Sequence, residues 1–183
     1  TLYQDYIKEN NPVEQSVLYQ VYYSGDTQIQ DYISSQTIYY NYGYEQDPIL
    51  RYSDYAALRS IAGYQMVELQ EGQYLIHCMT YLEEPLKTYV EPLTLGDVTL
   101  QLGGIYTEHL SQGSENGQGY ILVIPDEAAA GLSSHHSAYA AKTMEPVSFE
   151  NFCGLTTVMD KIWEDTGLGD QITTKAQEEA DVA

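Results

Sequence analysis

The chain has 183 residues, 43% of them hydrophobic, enough for one folded domain or two small lobes with a real core and too many for a disordered segment. Twenty-seven Asp and Glu against seven Lys and Arg give a formal net charge of −20, which excludes phosphate-directed nucleic-acid binding and docking on anionic lipid through a basic patch. The same balance suits solubility outside a cell and raises the local concentration of cationic partners. No run approaches the roughly 18 apolar residues of a membrane-crossing helix, and Thr1 is not a natural start. The segment is therefore expected to be a soluble piece excised from a longer protein.

Thirteen of the 19 tyrosines fall within residues 1–64. Gln15 to Tyr23 has the apolar and aromatic content of a strand, ended by Ser24-Gly25-Asp26. Asp31 to Tyr44 is ambiguous, although Thr37 to Tyr44 alternates like a half-buried strand with a bend at Gly43. Ser53 is a good N-cap for a helix through Ile61, with Gly63 as its stop. Glu71-Gly72 reads as a turn and Gln73 to Cys78 as a strand. Leu93-Thr94-Leu95, Gly96-Asp97 and Val98 to Leu102 spell a hairpin, after which Gly103-Gly104 bends the chain into Ile105-Tyr106-Thr107. Ser111 to Gly119 is a flexible loop.

Tyr120-Ile121-Leu122-Val123-Ile124 then reads as a strand buried on both faces, stopped by Pro125. Asp126 and Glu127 suit a helix N-terminus, the three alanines after them propagate it, and Gly131 can end it. Ser137 to Thr143 fits another strand. Ser148 caps a helix whose apolar residues Phe149, Phe152, Leu155, Met159, Ile162 and Trp163 recur at helical spacing. The tail from Thr173 to Ala183 is polar and helix-prone. Strands and helices interleave without a regular βαβ rhythm, so the expected class is α+β, with a mixed, mostly antiparallel sheet packed against a few helices.

No catalytic, cofactor or metal signature emerges. There is no Gly-x-Ser-x-Gly elbow, and Gly113 to Gly119 lacks the Gly-Lys-Ser/Thr ending of a phosphate loop. His109, His135 and His136 lack metal-ligand spacing and read as loop residues, while Glu83-Glu84 and Glu178-Glu179 read as solvated pairs. Cys78 and Cys153 allow one disulfide, but apolar neighbours around both favour buried thiols. The tyrosine-rich stretch serves either sheet packing or recognition. For recognition the candidate surface is Tyr39, Tyr40, Tyr42 and Tyr44, since Tyr offers rigid amphipathic contact area at low entropic cost.

Three segments resemble the large extracellular domain of FtsX-like permeases, the membrane subunits of one class of ABC transporters, in their bacitracin- and macrolide-exporter branch. They are Ser53 to Leu58 leading through Val67-Glu68-Leu69 to Gln73-Tyr74-Leu75-Ile76, Leu95 to Leu100 with Gly104 to Thr107, and Tyr120 to Glu127. The resemblance implies a non-catalytic loop domain between two membrane helices, on the outer face of a bacterial cell membrane. It also implies a separate ATPase subunit, and links to antimicrobial-peptide resistance and to a sensor kinase. No catalytic residues and no cofactor come with it. The rival reading is a free-standing secreted or lipid-anchored surface binding protein.

Overall fold

The computed structural model describes residues 13–36, 46–108, 110 and 119–143. In chain order these form β1 (Val13–Tyr23), α1 (Gln28–Gln36), β2 (Pro48–Arg51), α2 (Tyr52–Ala62) and β3 (Gln73–Cys78). A 3₁₀ turn (Thr80–Leu82) runs into α3 (Glu83–Leu86), followed by β4 (Leu93–Leu95), β5 (Val98–Tyr106), β6 (Tyr120–Ile124), α4 (Asp126–Ala129) and β7 (Ser134–Thr143). The seven strands make one sheet in the order β4-β5-β3-β6-β2-β1-β7. Pairs β4–β5, β3–β6, β1–β2 and β1–β7 are antiparallel, whereas β3–β5 and β2–β6 are parallel. The fold is α+β, with the mixed, mostly antiparallel sheet that the sequence suggests.

β6 is the middle strand, and all five of its residues are buried. A strand covered on both faces has no polar side to alternate with, which is why its sequence is an unbroken apolar run. Tyr120, Leu122 and Ile124 enter one core with Ile29 and Ile33 of α1, Leu86 of α3, Tyr74 and Ile76. Ile121 and Val123 enter the other with Tyr55 and Leu58 of α2, Leu75, Leu50, Tyr19 and Val21. Cys78 is fully buried in the first core, and Cys153 lies outside the described residues. Among the N-terminal tyrosines, Tyr19, Tyr22 and Tyr55 are core residues, so packing accounts for these three.

Several boundaries differ from expectation for local reasons. α2 begins at Tyr52, and Ser53 does not cap it; the Ser53 N–H instead donates to the Asp126 carboxylate at 3.0 Å. Asp126 thus stands in the first turn of α4 while serving the orphan amides of another helix. α4 stops at Ala129 with Ala130 still right-handed, so Gly131 is not its terminator. Gly103 does not interrupt β5: it is the extra residue of a bulge, since Tyr74 faces Leu102 while Leu75 faces Gly104. α1 was hidden in the stretch whose pattern is ambiguous. The predicted strand at residues 37–44, the loop at 111–118, the helix at 148–163 and the tail lie outside the described residues.

The C-terminus of α2 follows the expected chemistry. Gly63 has φ 80°, its N–H donates to the Ser60 carbonyl at 3.2 Å, and the Tyr64 N–H donates to the Arg59 carbonyl at 2.9 Å. This is a Schellman motif, which places a residue without Cβ in the left-handed region. Gly63→Ala should therefore cost about 1 kcal/mol in a urea unfolding experiment, and an unchanged midpoint would contradict the left-handed cap.

Candidate functional site

The positions chosen from sequence for recognition, Tyr39, Tyr40, Tyr42 and Tyr44, lie outside the described residues. Two buried polar centres and one groove stand out among the described ones. Each polar centre sits where a helix end meets the sheet.

The first centre is Asp47, which is completely buried beside β2. Its two carboxylate oxygens accept the backbone N–H groups of Ile29 (2.9 Å) and Gln30 (3.2 Å), and Tyr120 donates its hydroxyl at 2.5 Å. The Asp47 backbone also donates to the Asp26 carbonyl and accepts from the Ser24 N–H. One residue therefore caps α1 and ties β1, β2 and β6 together. Burial raises the Asp47 pKa, with the nearby Asp26 charge adding a little, and the Tyr120, Ile29 and Gln30 hydrogen bonds oppose the rise.

The second centre lies on the opposite face, between α2 and the end of β5. The Arg59 side chain is 2% exposed, and its guanidinium meets the Glu108 carboxylate in a two-pronged pair at 2.8 and 3.1 Å. Arg59 Nη1 also donates to the Tyr55 hydroxyl at 3.2 Å, and Arg59 Nε donates to the Gln65 carbonyl at 2.6 Å. The rings of Tyr55, Tyr64 and Tyr106 lie 5.6, 5.6 and 6.0 Å from the guanidinium carbon, so the cation is held by aromatic faces as well as by charge. The Tyr55 hydroxyl lies 3.1 Å from Nδ1 of His77, which is completely buried on β3. Glu108 is pulled below the ordinary carboxylate range, first by the Arg59 hydrogen bonds, and Tyr55 is pushed up to about 12, first by burial.

Glu108 also borders a shallow, open groove of about 450 Å³, whose other lining residues include Glu83, Glu84, Lys87, Tyr106 and Thr107. Glu83 and Glu84 are exposed at the start of α3, as expected of a solvated pair. Lys87 reaches Glu84 at 3.5 Å across a solvent-exposed contact worth little. The lining is acidic on balance and suits a cationic side chain better than an anionic one. His135 and His136 are not loop residues: both lie on β7, where His135 stacks on Tyr23 with ring centroids 4.0 Å apart. Among the described residues no three His, Cys, Asp or Glu side chains are grouped to hold a metal.

Sequence reading missed both polar centres. Each leaves a faint signal: Asp47 directly precedes the apolar Pro48-Ile49-Leu50, and Arg59 is one of only seven cationic residues, set in an apolar helix. Their partners are far away in the chain, and pattern alone does not join Asp47 to Tyr120 or Arg59 to Glu108. No protein-family model matches the chain, and no curated protein matches it.

Proposed function

We propose that this chain is the non-catalytic extracellular domain of an ABC transporter permease, lying between two membrane-spanning helices and sensing a cationic peptide. The observation that carries the reading is the pairing of β1 with β7. Val13, at the start of β1, is paired with Thr143, at the end of β7. Antiparallel partners lie about 5 Å apart, so these two strand ends share one corner of the sheet. Neighbouring strand ends suit a domain inserted between consecutive membrane helices. The net charge of −20 and the acidic groove at α3 add support for a cationic ligand.

Two measurements test this reading. The reading frame around the segment should encode an apolar stretch of about 18–25 residues on each side; a secretion leader with no flanking spans would favour the free-standing surface protein instead. In the second, a basic antimicrobial peptide and a charge-reversed control are titrated onto the purified chain at low and physiological salt. The basic peptide should bind more tightly, and its affinity should fall as the screening length shortens to about 8 Å. Equal affinity for both peptides, or no binding at low salt, would leave the domain as a coupling element that docks the ATPase-driven membrane part or a sensor kinase.

A further inference from the structure

We propose that the outer flank of β5, from Gln101 to Tyr106, takes up a cationic peptide in extended form as an added strand, with basic side chains set against Glu83 and Glu84. The occupant follows from the cationic-peptide reading above; the surface and the binding mode are new. β5 runs from Val98 to Tyr106, and β4 pairs with it only over Val98 to Leu100. Pro92 explains the early stop. It has no N–H to carry the ladder past Leu93, and the carbonyls of Pro92 and Glu91 accept instead from Gln28 and Tyr74. On its inner side β5 is held by β3, toward which the Gln101 N–H points, donating to the Gly72 carbonyl at 2.8 Å. Backbone groups alternate along a strand, so those of the next residue, Leu102, point outward. Among the described residues no strand meets them. The open flank is roughly 20 Å long and has room for about six residues of an added strand.

The side chains along this flank define what the strand carries. Leu102 and Ile105 are half-buried, packed from the edge against the core shared by α1 and α3. Apolar groups of the peptide would extend that core across the new pair. Ile105 also lines the groove at α3, so the flank ends beside carboxylates. Glu108 is engaged by Arg59, and the anions on offer are therefore Glu83 and Glu84, both exposed. Lys87 holds Glu84 at 3.5 Å with 67% of its side chain in solvent, a contact that a peptide lysine or arginine can replace.

Charge selects the occupant. A second copy of a chain carrying −20 is repelled from this edge. β7, the edge strand at the opposite side of the sheet, is longer, but it holds His135, His136 and Lys142 and no acid. A basic strand is therefore directed to β5.

The test uses the whole chain at low salt and a capped peptide of about eight residues, alternating Lys and Val. Two relatives accompany it: the same peptide methylated at every backbone nitrogen, which keeps the charge but has no N–H to donate, and one with Glu in place of Lys. The Lys-Val peptide should bind, shift the NMR signals of Gln101 to Tyr106 and slow amide exchange at Leu102. Methylation should weaken it about tenfold or more, and the Glu-Val peptide should not bind. Glu83→Gln with Glu84→Gln, both at exposed positions, should weaken Lys-Val binding about fivefold with the urea midpoint unchanged. Equal affinity of the methylated and unmethylated peptides, or shifts centred on β7, overturns the added strand and leaves cationic sensing standing. Failure of Lys-Val to bind also overturns the strand, and failure of a basic antimicrobial peptide as well removes the sensing reading with it. A Leu102 amide that already exchanges as slowly as the core in the free chain overturns the proposal too, because another segment or a second copy then holds the flank.

Discussion

Asp47→Ala should lower the free energy of unfolding by about 3–5 kcal/mol, read from the urea midpoint with the slope unchanged. The substitution removes no large apolar side chain, so the loss comes from what it strands. The Ile29 and Gln30 amides and the Tyr120 hydroxyl all lose their acceptor in a site with no exposure at Asp47. Each stranded donor costs about 1–3 kcal/mol, and the three are close enough for their costs not to add in full. Asp47→Asn, with a single acceptor oxygen, should fall between wild type and Ala. The pH trend has a defined sign. Burial holds the Asp47 pKa above its unfolded value, so its contribution is complete below the unfolded pKa and declines as pH rises through the folded one. The gap between wild type and Asn should therefore narrow from acid toward neutral pH. A loss below about 1 kcal/mol for Ala would mean that water reaches the end of α1.

Ile121→Ala should cost about 2–5 kcal/mol, because Ile121 is 0% exposed on the middle strand and its neighbours form the core beneath α2, which cannot easily collapse. Val98, at the start of β5 and 41% exposed, is the fitting control, and Val98→Ala should stay within about 0.5 kcal/mol. Differential scanning calorimetry of the two variants separates the cases. Equal shifts would show that β6 is not at the centre of the core.

What the sequence made legible follows from how local each cause is. β3 and the β4–β5 hairpin can be read off because their pattern and turn residues lie within a few positions of one another, and Leu95 pairs with Val98 across Gly96-Asp97 as written. β6 is legible because an apolar run between Gly119 and Pro125 has little else to be. α1 was not legible. Its apolar residues Ile29 and Ile33 are few, and the carboxylate that caps it belongs to Asp47, eighteen residues beyond Ile29. β2, four residues long, is too short to show a period and is fixed by Tyr22 and Tyr23 on one side and by β6 on the other. The polar centre around Arg59 joins residues separated by 49 positions to Glu108 and 22 from Tyr55 to His77, and no local rule links them.

The pairing of β1 with β7 also fixes how this domain responds to force. A pull applied through Val13 and Thr143 acts on two neighbouring ends of one antiparallel ladder, across the strands and along the hydrogen bonds. Bonds loaded in that direction fail one after another, from the Val13 end inward, as teeth part along a zip. The same ladder loaded lengthwise would share the load among all its bonds at once. If the tethers attach at this corner, the β1–β7 ladder is the first part to yield. The load then reaches the central strands, between their two cores, only after the ladder has parted as far as Tyr22, where β1 meets β2.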